Sequence, residues 1–258
     1  MKYLNLFSAL TVKNLRVSTR YWMNTATSLV ILLILFLVFF YLPQAVVGSP
    51  IKGERENTII IGYIIWVLTL IGFQSLPDSI VEESRTGTLE QLYMSHFRIE
   101  IIFFFELIYS FLLALVYSGV ILGLIMLITG KYFSFLELIQ VIPVALLMLS
   151  GVWGIAFVLA GLAVVFKRLE SLYNLVQFLL VGFVILGAIQ SPVIYFMPIS
   201  HATVMIHKLI NEGYSLASFN SLDWIILCAN SLCYFLLGIF IYKLCEKTAM
   251  KKALLGHY

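Results

Sequence analysis

Four charged side chains, Glu82, Glu83, Arg85 and Glu90, fall within the short stretch VEESRTGTLEQLY, Val81–Tyr93. An almost unbroken apolar run flanks it on each side. Charge in this setting suits ionic recognition, because complementary charges fix register and choose partners more than they add affinity. The second half of the stretch reads as a short helix. Thr88 with Gln91 three residues on spells a capping box, and Gly87 permits a sharp entry. Glu90 falls in the first turn, where the helix dipole favours a negative charge. Leu89, Leu92 and Tyr93 share one face at i, i+3 and i+4. A solvated loop could carry the charge but would need neither this cap nor this face.

Catalytic chemistry has no comparable cluster. The chain has no G-x-x-x-x-G-K-[ST] loop, so it is not expected to cradle phosphate or hydrolyse ATP itself. It has no H-E-x-x-H, and His96, His201, His207 and His257 are scattered, so no metal site is expected. No G-x-S-x-G elbow supports a serine hydrolase. Glu106 is the one acid clearly inside an apolar run, RIEIIFFFELIYSF, about a turn and a half after Glu100. Two readings stand for it: a gate or pathway contact, or a carboxylate that reaches the interface or pairs with a neighbouring helix. Acids deeper in the apolar runs are nearly absent, which argues against a proton relay.

The elements that hold these residues must lie in lipid. The 258 residues are 62% hydrophobic and 11% charged, whereas an ordinary soluble domain carries about 25% charged residues. A chain this long cannot hide that much apolar surface from water. A spanning helix needs about 20 mainly apolar residues. Six stretches qualify: Asn24–Leu42, Thr58–Leu76, Ile101–Thr129, Phe135–Phe166, Leu172–Gln190 and Trp224–Leu244. The third and fourth exceed a simple span and must tilt, bend or begin in the interface, and Pro143 is a natural bend in the fourth. Gly119 and Gly123, Ser150 and Gly154, and Ala156 and Ala160 have the small-x-x-x-small spacing that lets helices approach closely. Their partners could lie within the chain or in a second copy. The odd set Cys228, Cys233 and Cys245 reads as apolar packing, not disulfides.

Before the first span, aromatic and aliphatic residues alternate with Lys13, Arg16 and Arg20, the pattern of a basic helix lying along the membrane surface. Twelve Lys and Arg fall on one side of the six-span layout and four on the other (Lys52, Arg55, Lys131 and Lys208). The positive-inside rule puts the twelve, both termini and Val81–Tyr93 in the cytoplasm. The segment from Ser191 to Asp223 has Pro192 and Pro198 and a helical run, Ala202–Asn211, which is more than a connecting loop requires. It is expected to be re-entrant or to lie on the outer face, with Tyr195, Phe196 and Pro198 near a transport pathway.

Glu83, Gly87, Thr88, Leu89, Glu90 and Leu92 match the E-[ER]-x-x-G-T-L-E-x-L pattern. The segment thus resembles the signature of the ABC type-2 permease family, which lies between the second and third spans. The resemblance extends to the six-span plan, the basic N-terminal helix, LAGLAVVFKRLESLYNLVQFLLV and the proline-bearing outer segment. Ser84 stands where a basic residue often follows the Glu, His96 replaces a common Pro, and Phe104-Phe105 replace a common Gly-Lys.

The resemblance implies an all-α integral membrane protein. It would have six transmembrane helices, an N-terminal interfacial helix (1–23), spans one and two (24–77) and a cytoplasmic coupling segment (78–100). Spans three to five (101–190), short outer helices (191–223), and span six with a cytoplasmic tail (224–258) would complete it. It implies that Glu82, Glu83, Arg85, Gly87, Thr88, Leu89, Glu90 and Leu92 couple to a separate ATP-binding subunit. Two copies of that subunit, holding ATP and Mg, would pair with two permease copies in the cell membrane. This chain is expected to bind no cofactor and no nucleic acid. Export of a drug, antibiotic or antimicrobial peptide is the leading expectation. A lipid or polysaccharide exporter, a non-transporting binding or immunity protein, and an intramembrane enzyme are the alternatives.

Overall fold

In lipid the backbone must bond to itself, and among the described residues every regular element is helical. The computed structural model describes residues 2–47, 53–166, 169–189 and 195–251. In chain order the elements are α1 (Lys2–Arg20), α2 (Trp22–Val47), α3 (Glu54–Arg85), α4 (Leu89–Tyr93), α5 (Ile99–Thr129), α6 (Phe135–Phe166), α7 (Glu170–Ile189), α8 (Ser200–Asn211), a 3-10 turn at Leu216–Ser218 and α9 (Ser221–Lys251). Among the described residues five segments are long and apolar enough to cross a membrane: Trp22–Leu42, Arg55–Arg85, Ile99–Thr129, Phe135–Phe166 and Ser221–Lys251. The expected fifth span, Leu172–Gln190, corresponds to α7. Its described apolar part, Ser171–Ile185, is shorter than the other five, and Gln190 lies outside the described residues.

The boundary that differs most from expectation is the end of the second span. The second span was expected to stop at Leu76, but α3 runs on through Pro77 to Arg85. Proline removes one helical hydrogen bond, yet Leu76 and Ile80 on either side of it are fully buried. That packing holds the helix together across the defect. Residues 78–100 are therefore not one unit. They comprise the last turns of α3, a turn, α4 and the entry to α5.

α3 and α6 form the centre. α3 packs against α5, α6, α7 and α8, and α6 packs against α9 more extensively than any other pair. Glycine makes that approach possible. A Cβ on Gly154 would lie 2.1 Å from the Tyr234 carbonyl oxygen, and one on Gly238 would lie 2.1 Å from the Gly154 carbonyl oxygen. Ala156 and Ala160 are fully buried beside them. Gly119 and Gly123 behave differently, since a Cβ on either would meet nothing within 4 Å.

The segment after α7 re-enters the bundle. A Cβ on Gly151, midway along α6, would lie 3.5 Å from the Pro198 carbonyl oxygen. Asn230 of α9 donates to the Tyr195 and Met197 carbonyls (2.9 and 3.2 Å), and the Tyr234 hydroxyl donates to that of Phe196 (2.9 Å). The Ser200 hydroxyl donates to the Phe183 carbonyl of α7 (2.7 Å). From this mid-depth start α8 rises about 18 Å to Asn211, whose amide reaches Thr58 near the start of α3 (3.4 Å). Ser200 through Ile206 are all buried. Pro192, expected to belong to this segment, lies outside the described residues.

Candidate functional site

The charged stretch lies at the end of the bundle where α3 stops. Its Gly and Thr first serve to end α3. The Thr88 amide donates to the Glu83 carbonyl (2.9 Å) and the Gly87 amide to that of Ser84 (3.3 Å). Gly87 is left-handed at φ 72°. These two bonds make a Schellman motif. Thr88 then starts α4, since its carbonyl accepts from the Leu92 amide (3.1 Å). The expected capping box with Gln91 does not form. The Thr88 hydroxyl instead donates to a Glu83 carboxylate oxygen, and the other oxygen of that carboxylate pairs with Lys13 of α1. The spacing Glu83, Gly87, Thr88 thus has a local reason. The Glu stands five residues before the Thr, and the helix stop brings the two together.

This places Glu83 on the inside. Its side chain is only 13% exposed and is tied within its own chain to Lys13 and Thr88. Thr88→Ala is expected to cost about 1–2 kcal/mol, the scale of a hydrogen bond to a charged group, in thermal denaturation of the purified chain, and Thr88→Ser close to nothing. Equal losses from both would rule out the hydroxyl as the source.

The apolar face of α4 also turns inward. Leu89 is 2% exposed, and Leu92 and Tyr93 pack against the main core. The Tyr93 hydroxyl bonds that of Tyr242 on α9 (2.7 Å), and burial holds it above the usual phenol range. Glu100 at the start of α5 pairs with Lys243 (3.4 Å). Five residues of helix are too few to be stable alone, so α4 is a rigid extension of α3, α5 and α9. Glu82, Arg85, Gln91 and Met94 face outward, with Met94 78% exposed. The sequence reading did not single out Met94. Its only signal was an apolar residue just past the inward face.

α1 lies along the same end. Tyr3, Phe7, Leu10 and Asn14 fall on one helical face and meet the connection to α5 and α5 itself. Tyr3 stands near Phe97 (ring centroids 6.0 Å apart), Phe7 near Phe105 (5.6 Å), and Leu10 is buried. The Asn14 amide donates to the Glu106 carboxylate (2.9 Å). Removing the acceptor would leave that half-buried amide unpaired. Glu106→Leu is therefore expected to destabilise by about 1–2 kcal/mol, while Glu106→Gln retains an acceptor and loses less. A Leu variant with unchanged melting behaviour would remove the pair from the account of how α1 is held.

The remaining pathway residues do not gather around Glu106. It sits at the α4 end, whereas Tyr195, Phe196 and Pro198 line up with the middle of α6 and α9. Tyr195 is 50% and Phe196 77% exposed. Pro198 is buried, with its carbonyl against Gly151 of α6. The sequence reading passed over a recess of about 410 Å³ between α2, α3, α5 and α7, mostly apolar (Leu29, Leu32, Trp66 and Ile71 among its walls) but with Asn24, Thr25, Ser28, Gln74, Tyr117 and Gln177 also lining it. Gln74 donates to Gln177 across it (3.4 Å).

The geometry is thus a short helix keyed to three spans and to an amphipathic surface helix, with an exposed mixed face at one end of an apolar bundle. None of the curated proteins compared with the chain matches it. A family model described as ABC-2 family transporter protein matches residues 56–240, which run from the first turn of α3 through α4–α8 and into α9 as far as Phe240. The chain belongs to that family: it is a multi-pass membrane permease of an ABC transporter, whose family implies an ABC ATP-binding subunit as partner.

Proposed function

We propose that α4 is the coupling helix of an exporter and that a separate ATP-binding subunit drives it. The observation that carries this is the division of labour around α4. Leu89, Leu92 and Tyr93 lock it to the bundle, while Gln91 and Met94, with Glu82 and Arg85 at the preceding helix end, face outward. A push on that face is transmitted through Tyr93–Tyr242 to α9 and through the Gly87 turn to α3. Glu90 is the second residue of α4. ATP and Mg belong to the partner, present in two copies on two permease copies.

The α4 end faces the cytoplasm in this reading. Lys2, Lys13, Arg16, Arg20, Arg85, Arg98, Lys243, Lys247 and Lys251 belong to that end, and Arg55, Lys131 and Lys208 to the other. Lys52, Lys167, Arg168 and Lys252 lie outside the described residues. A cysteine at Glu212 should label from outside intact cells and one at Arg85 should not, in a background with Cys228, Cys233 and Cys245 replaced. Labelling at Arg85 would reverse the topology.

The recess at Gln74 and Gln177 is uncharged and mixes a mainly apolar wall, Trp66 and Tyr117 included, with a few polar side chains. It suits an amphipathic drug, antibiotic or antimicrobial peptide better than a polyanion. The test is transport into vesicles by the chain with the ATP-binding subunit that co-purifies with it. Glu82→Arg combined with Met94→Asp should lower both ATP-driven transport and subunit binding, with the chain's own melting temperature unchanged. Normal transport by that double variant would refute the coupling assignment.

A further inference from the structure

α5 and α6 are joined by a short turn yet touch each other little, because each packs on α3 instead. The two helices therefore diverge, and a groove opens between them. α3 floors it with Ile61 and Leu68, and α8 closes it with Ile206. The enclosed space is about 220 Å³. Among its lining residues the one side chain with a polar atom is Ser118, whose hydroxyl donates back to the Ala114 carbonyl (2.7 Å). A water there would find only the Ser118 oxygen to bond, fewer than the two to four partners a buried water needs, and cavities of this kind stay dry.

The mouth is formed by Gly119 on α5 and Ile142 on α6, both exposed. Gly119 lies ten residues, about 15 Å, from the Thr129 end of α5, and Ile142 seven residues, about 10 Å, from the Phe135 end of α6. The hydrocarbon core of a bilayer is about 30 Å thick, so the mouth opens sideways at the depth of one leaflet's acyl chains. Gly119 adds no wall there, since a Cβ on it would meet nothing within 4 Å.

We propose that this groove is a binding site for a single acyl chain of a membrane phospholipid, from the leaflet on the side of the α5–α6 turn. A volume of 220 Å³ holds about seven groups of roughly 30 Å³ each, a stretch of chain and not a whole lipid. Transfer from lipid into protein gains nothing from leaving water. The gain is in packing, because atoms lining a void lack contacts on one side and the chain restores them. The site is independent of the coupling assignment, and its test needs neither ATP nor a partner subunit.

The experiment reconstitutes the full chain in vesicles of phosphatidylcholine carrying a photoreactive diazirine midway along one acyl chain. Labelled residues are mapped by mass spectrometry. Ser118–Leu122 and Val141–Ala145 should label more strongly than the plain exposed face of α9 at Leu236 and Leu237. Gly119→Leu grows a side chain into the groove from a position with room for it, and labelling should fall to the level of the α9 face. Gly119→Ala should leave it high. Ile142→Phe narrows the mouth from the other wall and should also lower it, which keeps the test decisive if one variant folds poorly. Equal labelling of groove and α9 face in the native chain, or unchanged groove labelling in both plugged variants, would overturn the proposal. So would loss of groove labelling on addition of a transported compound, which would make the groove a cargo site, or loss on dimerisation, which would mean a second copy covers it.

Discussion

Gly154→Ala is expected to destabilise the chain by about 3 kcal/mol or more, at the upper end of what overpacking costs. The added Cβ would fall 2.1 Å from the Tyr234 carbonyl oxygen and 2.4 Å from its carbon. Those are backbone atoms of a helix and cannot rotate away, as the tip of a side chain could. Relief requires α6 and α9 to separate along the most extensive helix pair in the fold. The separation would carry Ser231, Tyr242 and the turn at Pro198 with it, since all three sit on the same seam. Gly238→Ala should do the same from the other side, because its Cβ would meet the Gly154 carbonyl. The two changes share one contact, so their costs should not add. Gly119→Ala and Gly123→Ala are the controls. Neither meets an atom within 4 Å, and each replaces a poor helix former with a good one, a gain of about 0.5–1 kcal/mol. Thermal denaturation of the four purified variants checks the series. If Gly154→Ala melted with the controls, the close approach of α6 and α9 would be wrong.

That contrast shows what the sequence could and could not carry. Small residues four apart announce that a helix can come close to something, and the letters of Gly119/Gly123 and Ser150/Gly154 are equally good. Which pair does so depends on the neighbour. The partner of Gly154 is Gly238, more than eighty residues on, and no local pattern marks it. The long spans were legible for the opposite reason. Lipid forces each backbone to bond within itself, so Phe135–Phe166 is α6 to the residue. The end of α3 was misjudged because the apolar run breaks after Leu76 at Pro77 and Asp78, while the burial of Ile80 that carries the helix on is a tertiary fact. Gly87-Thr88 fitted two local motifs, a capping box and a helix stop. Glu83 decided between them, because its carboxylate lies where the Thr88 hydroxyl can reach it. The pairing of Glu83 with Lys13 spans seventy residues and had no trace in the sequence beyond two opposite charges.

Exchanging those two charges should separate the halves of the Glu83 contact. Glu83→Lys alone should cost about 2 kcal/mol, the scale of a hydrogen bond to a charged group. It removes the acceptor of the Thr88 hydroxyl and sets a second ammonium beside Lys13. Lys13→Glu alone should cost less, because the Lys13 side chain is 49% exposed and such pairs contribute about 0–1 kcal/mol. The double variant restores opposite charges between α1 and the end of α3. It cannot restore the bond to Thr88, because an ammonium accepts nothing. The swap is therefore expected to recover under half of the stability lost in Glu83→Lys, and the recovered part should shrink at high salt, where an exposed pair is screened. Transport should follow the same order if the Gly87 turn transmits force, since α4 is aimed by the Thr88 bond and only steadied by α1. Full recovery of both stability and transport in the swap would mean that the latch between α1 and α3 sets the position of α4. The Glu83–Thr88 contact would then be incidental, and the spacing of Glu83, Gly87 and Thr88 would need a different physical reason.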